Sequence, residues 1–212
     1  MSPGGIAPRC AVCASLERHR AFRSVFDALR PALAGKSALQ FSPDVSAPRD
    51  AFGRFEVSDY GVENSLDMSA IDRADNAYDV VIANHVMEHV ENDRAAMAEL
   101  DRIVRPTGFI FLSVPDLLRV DATHEYGRAR EDKHGHWRVY GPDIALRWRE
   151  AVPDWKGVGV IGIDPVTGEP DRATLLGRDG ALLEGLTALI GAAGLQASDA
   201  FGPQPEVGAV SA

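Results

Sequence analysis

Residues 77–115, AYDVVIANHVMEHVENDRAAMAELDRIVRPTGFIFLSVP, switch between two hydrophobic periods, and this constrains the fold more than anything else in the 212-residue chain. DVVIA is apolar at consecutive positions, so a strand made from it must be covered on both faces. In DRAAMAELDRIVRP, Met97, Leu100, Ile103 and Val104 recur at helical spacing, and Pro106 is expected to stop the helix. TGFIFLSVP is a second continuous apolar strand. Strand, helix and strand within roughly thirty-five residues form a right-handed crossover, which makes the two strands parallel. The predicted class is α/β, with a mostly parallel central sheet flanked by helices.

The rest of the chain supplies further elements of the same kind. SLERHRAFRSVFDALRPAL reads as a helix with Ser15 as N-cap and an apolar stripe of Leu16, Phe22, Val25, Phe26 and Leu29. SALQFSP (37–43) and RFEVSDYG (54–61) read as strands, the second ending at Asp59. The polar stretch 119–142 shows no period and is expected to be a long loop, a place where functional residues concentrate. DIALRWREAV is helical, 157–178 reads as a hairpin, ALLEGLTALIGAAG is a helix with a glycine stop, and LQASDAF is a last strand candidate. The expected organisation is a lead-in and cap helix over 1–35 followed by one domain over 36–212.

Composition excludes several classes. A net charge of −9 argues against a nucleic-acid partner, which needs a basic face. No stretch approaches the ~20 apolar residues of a membrane span, and the first residues lack the apolar core of a signal peptide. The expected compartment is the cytoplasm. Arg9, Arg18, Arg20, Arg23 and Arg30 crowd the N-terminal segment, a charge pattern suited to an anionic small molecule or to a solvated helix face. Cys10 and Cys13, the two cysteines, form one CxxC, half of a zinc knuckle, with His19 near enough in sequence to be a third ligand; the alternative is two idle thiols.

His85 and His89 with Glu88 between them suggest a zinc-protease helix at first sight. The spacing does not fit. That motif places Glu directly after the first His on a helix, whereas His85-Val86-Met87-Glu88-His89 begins at the end of a strand. Topology gives a better account, because ligands of open α/β sheets bind at the carboxyl ends of the strands. Asn84 and His85 stand at one such end. Asp59 stands at another, and a carboxylate there offers only acceptors, as the two O–H donors of a ribose diol require.

These residues carry a resemblance. Residues 77–115 resemble the class I S-adenosylmethionine-dependent methyltransferases, in which an FDvV…HvLEH segment is followed by a helix, a (K/R)PGG turn and a strand. CAVCASLERHR and EDKHGHWRVYGPD resemble a methyltransferase type 11-like bacterial subgroup with a CxxCxSxxRHR head and a DHxRxYG segment. The likeness spans roughly residues 10–150. It implies a Rossmann-like single domain and bound S-adenosylmethionine, with the adenosyl ribose at Asp59 and the adenine flanked by Asp67 and Met68. The methionine moiety is then placed near Phe41, Ser42, Pro43, Asn84 and His85. Two departures stand out: LQFSPDVSAPRD replaces the acidic GxGxG turn and has no glycine until Gly53, and RPTG replaces the PGG turn.

Methyl transfer needs alignment, and a base where the acceptor must lose a proton. His85, His134 and Tyr140 are the candidate catalytic groups, and Arg18, Arg20 and His136 the candidate acceptor contacts. The expected partner is a small-molecule acceptor, with anionic character suggested by the arginines. Two other readings stay open: a cofactor-binding relative that does not transfer methyl, and a binding module stabilised by zinc at Cys10 and Cys13.

Overall fold

The computed structural model describes residues 9–115 and 120–200. The first residues of the lead-in, a few residues at 116–119 and the tail after Ala200 lie outside the described residues. In chain order the elements are α1 (Glu17–Leu33), β1 (Ser37–Phe41), β2 (Arg54–Ser58), β3 (Tyr78–Asn84), α2 (Asp93–Ile103) and β4 (Val104–Ser113). There follow β5 (His124–Arg130), β6 (His136–Val139), α3 (Ile144–Ala151), β7 (Lys156–Ile163), β8 (Pro170–Gly177), α4 (Gly180–Ala192) and β9 (Gln196–Asp199).

Seven strands form one mixed sheet in the order β2-β1-β3-β4-β8-β7-β9. The first four are mutually parallel, β8 runs against β4, β7 against β8, and β9 against β7. Five of the seven therefore point the same way, as the crossover read from residues 77–115 requires. The double-sided apolar run of β3 is used on both faces. Val80 and Ile82 pack with Phe22, Val25, Phe26 and Leu29 of α1 and Leu183 and Leu186 of α4. Val81 and Ala83 pack on the other face with Met97 and Leu100 of α2 and Trp148 of α3. Helix α1 is thus part of the sandwich: the Phe22 and Phe26 rings stack on Phe111 of β4 at 5.5 and 4.4 Å.

Three local expectations are corrected. The α1 N-cap is Leu16 rather than Ser15, and its N–H donates to Nδ1 of His19 at 3.3 Å. The RPTG segment is not a turn ahead of the strand. β4 starts at Val104 opposite Tyr78, but Val80 already faces Phe109, so Arg105–Gly108 bulges within the strand. The stretch 119–142 is not a plain loop, because β5 and β6 pair as a small antiparallel sheet of their own.

Candidate active site at the strand ends

Strand register brings the site together. Phe41 of β1 lies beside Ser58 of β2 and Ala83 of β3, so Ser42, Asp59 and Asn84–His85 emerge next to one another at the carboxyl end of the sheet. Chain β1 ends in Ser42 at φ 61°, a left-handed turn that an L side chain adopts only at some cost. Two hydrogen bonds hold it in place of a glycine: Ser42 N–H donates to the Ser58 carbonyl at 2.9 Å, and the Gln40 side-chain amide donates to the Ser42 carbonyl at 2.9 Å. His85 is left-handed too, at φ 53°, with its N–H on the Ser113 carbonyl at 3.0 Å. Strained non-glycine residues at adjoining strand ends are a mark of ligand sites.

Asn84 is the knot between three strand ends. Its amide Nδ2 donates to Asp44 at 3.2 Å and to the Ser46 hydroxyl at 3.1 Å, while its Oδ1 accepts from the Ser113 hydroxyl at 3.1 Å. Asp44 in turn accepts from the Ser46 N–H at 2.7 Å. The side chain of Asn84 is therefore committed to holding the turn after β1, and its neighbourhood presents backbone to a ligand. Asp44 and Ser46 were not singled out in the sequence, where they look like ordinary turn residues.

Asp59 follows β2 half-buried. Its N–H donates to the Asn64 carbonyl at 3.0 Å, but its carboxylate has no partner among the described residues. Asp67 is exposed and caps an Asx turn, with one oxygen accepting from Ser69 N–H at 2.8 Å and the other without a partner among the described residues. Met68 and Phe41 are buried in the same apolar cluster.

Beyond His85 the chain makes a tight 3-10 turn, Met87–His89. Glu88 is 1% exposed, and neither carboxylate oxygen has a hydrogen-bond partner among the described residues. Burial without a donor pushes its carboxyl up to about 8. His85 Nδ1 lies 3.9 Å from Glu88 Oε1, and its Nε2 also lacks a partner. Burial, reinforced by the positive charge of Arg18, pushes His85 down to about 3, so at neutral pH it is an uncharged imidazole. Arg18 itself makes no hydrogen bond among the described residues, and its charge acts on both His85 and Glu88.

The β5–β6 hairpin forms a wall against the Met87–His89 turn. Arg138, 2% exposed, donates to the carbonyls of Met87, Val90 and Glu91 at 3.3, 2.5 and 2.6 Å, and to the Glu125 carboxylate at 3.0 Å. Tyr140 donates to Asp93 at 2.9 Å, and burial raises its pKa further above the ordinary phenol value. These clamps set His136 against His89, with ring centroids 4.6 Å apart at 89°. Glu88, His89 and Arg138 carry this wall and were missed as site residues. The signal for Arg138 was the polar segment itself, but arginine is ordinarily read as exposed.

The remaining candidates are placed as follows. Tyr140 is brought to the back of the turn, its hydroxyl turned into the protein, so it holds the scaffold and is sealed from an acceptor. Arg20 is bound bidentately to Asp164 at 2.8 and 2.6 Å and to the Ser15 carbonyl at 3.0 Å, away from the pocket. His134 is exposed at the hairpin tip, its ring 6.2 Å from that of His136. Cys10 and Cys13 are free thiols; Cys13 Sγ donates to the Ser15 hydroxyl at 3.2 Å, and hydrogen bonding lowers it to about 7. Of the two readings of this CxxC, a zinc half-site with His19 and two idle thiols, the first finds no three-ligand cluster: the group among the described residues that could hold a metal is Glu88, His89 and His136.

The fold has counterparts among known proteins. Residues 41–112 match the family described as a methyltransferase domain. No curated protein matches the chain by sequence. Among solved structures, the Burkholderia thailandensis 1,6-didemethyltoxoflavin-N1-methyltransferase, bound to its substrate and S-adenosylhomocysteine, is similar at TM-score 0.50 and 18% identity over 74% of this chain and 77% of that one. A Haloferax volcanii putative methyltransferase, solved in complex with the Trm112 activator, gives TM-score 0.49 and 14% identity over 74% and 89%. A Bacillus halodurans putative methyltransferase gives 0.47 and 13% over 72% and 96%. The chain thus carries a segment similar to the methyltransferase-domain family, set in the single-domain Rossmann-like fold of methyltransferases.

Proposed function

We propose that the protein transfers a methyl group from S-adenosylmethionine to a small-molecule acceptor. The observation that carries this is the unpartnered Asp59 carboxylate, held at the end of β2 beside the left-handed Ser42 turn. The residues present suit the cofactor. Asp59 offers acceptors to the two ribose hydroxyls, the free oxygen of Asp67 offers one to an exocyclic amine, and Phe41 and Met68 belong to one apolar cluster. The exposed backbone at Ser42 and Pro43, with the strand end at Asn84 and His85, lines the place for the amino-acid portion. When bound, the cofactor supplies an activated methyl group on a sulfonium, open to in-line displacement.

The protein's own contribution is placement and exclusion of water. His85, uncharged and with Nε2 free of partners, can accept a hydrogen bond from an acceptor O–H or N–H. Its buried surroundings disfavour the imidazolium, so it orients better than it deprotonates, and the exposed His134 serves for proton removal. Arg18 supplies a positive charge that acts on His85 and Glu88, and selects an acceptor carrying a carboxylate or phosphate. Methyl-labelled S-adenosylmethionine offered with a panel of anionic and neutral small molecules tests this. Labelling of anionic members is expected, with Arg18→Ala raising KM about tenfold at similar kcat. Cofactor binding with no labelled product from any acceptor would favour a relative that binds the cofactor without transferring methyl.

A further inference from the structure

Glu88 is the least explained residue in the molecule. A carboxyl group buried to 1% exposure normally finds a donor, and this one has none at either oxygen among the described residues. Its carboxylate and the ring nitrogens of His89 and His136 offer donor atoms that all lie within 4.8 Å of one another. His85 stands beside them, with Nδ1 3.9 Å from Glu88 and Nε2 unpartnered. We propose that Glu88, His89 and His136 bind a divalent transition-metal ion.

The ligand chemistry is that of a two-histidine, one-carboxylate site with positions left open, which suits first-row divalent ions such as zinc or manganese. Donors each about 2.1 Å from one ion lie at most about 4.2 Å apart, so side-chain rotations of about an ångström bring the three into range. The outer contacts favour a preset site. Arg138 and Tyr140 hold the backbone of the Met87–His89 turn and at the same time fix β6, so the two halves of the triad come from segments about fifty residues apart yet are clamped to each other. Gly135, at φ 83°, keeps the hairpin backbone close to the His89 ring, 3.7 Å from Nδ1 to where a Cβ would stand. Sequence spacing alone argued against a metal between His85 and His89; the ligand that changes the argument is His136, supplied by the hairpin.

Binding of the ion stands on this geometry and does not depend on methyl transfer. Its task rests on the function proposed above: open coordination positions beside the strand ends would hold an oxygen of the acceptor and lower the pKa of its proton. The test is calorimetric titration of chelator-stripped, cofactor-free protein with zinc chloride and with manganese chloride. The expected result is one equivalent bound for at least one of the two ions. His136→Gln and the near-isosteric Glu88→Gln should each weaken binding at least tenfold while melting like wild type in the presence of chelator, and a Cys10→Ser, Cys13→Ser double variant should bind as wild type does. No stoichiometric binding of either ion by the stripped wild type would overturn the proposal, as would undiminished binding by a folded His136→Gln. A protein that binds the ion but not S-adenosylhomocysteine would keep the metal site and remove the methyl-transfer reading.

Discussion

Ser42 and His85 hold left-handed backbone at adjacent strand ends, and each is kept there by hydrogen bonds to a neighbouring strand. The conformation costs a non-glycine residue about 1 kcal/mol. Ser42→Gly should therefore stabilise the protein by roughly that amount, and Ser42→Val should destabilise it; urea midpoints of the two variants check both signs. Asn84→Ala should cost about 2 kcal/mol, because Asp44, Ser46 and Ser113 lose their shared partner, and it should loosen the turn on which the cofactor is expected to rest. The sequence showed where these residues sit, since strand ends follow from apolar runs. It could not show that the Gln40 amide, donating to Ser42, and the Ser58 carbonyl, accepting from it, replace the expected glycines, because the Ser58 partner is defined only once β1 and β2 are in register.

Among the elements, the β5–β6 hairpin departs furthest from its sequence expectation. It has no apolar stripe to betray it: what holds it to the core is a charge network in which buried Arg138 and Asp93 join the partly buried Arg147 and the exposed Glu125. Breaking such a network by removing one partner leaves uncompensated charge, at about 3 kcal/mol or more. Arg138→Met is expected to lower stability by that order, and to weaken any ligand of His136 and His89 more than Tyr140→Phe does, since Arg138 holds the Met87 carbonyl of the turn and those of Val90 and Glu91 just after it, and Tyr140 holds Met87 alone. Thermal melts and metal titration of the two variants compare them. By contrast β3 and most of α2 were legible, because their burial is apolar and periodic; only the end of α2 was misread, since the helix stops at Ile103 and Val104 with Pro106 belongs to β4.

Across the whole molecule, α1 joins the cap region to the sheet. Gly162 of β7 leaves room for it; a Cβ there would overlap the Ala21 carbonyl, so Gly162→Ala should cost about 2 kcal/mol by pushing α1 outward. The second fastening is Arg20 to Asp164, a carboxylate with no exposed side-chain surface that also accepts from Thr167 at 2.7 Å and from Val166 N–H at 3.0 Å. Its carboxyl falls from 3.8 to about 2, chiefly through the Arg20 hydrogen bonds. A depressed folded-state pKa contributes stability above the unfolded value and loses it as pH falls from about 3.8 to about 2, here about 2 kcal/mol. Asp164→Asn should be less stable than wild type at pH 7, and the gap should narrow below about pH 4 in pH-dependent melts. The sequence assigned Arg20 to an acceptor because its partner lies 144 residues away, a separation no local pattern reveals.

The central claim is that the ends of β1, β2 and β3 hold S-adenosylmethionine with Asp59 on the ribose. Side-by-side calorimetric titration of wild type and Asp59→Ala with S-adenosylhomocysteine tests it most directly. The account predicts binding in the micromolar range for wild type and affinity about 10- to 100-fold weaker for the variant at an unchanged melting temperature. A folded wild type that does not bind, or a variant that binds equally well, would contradict it.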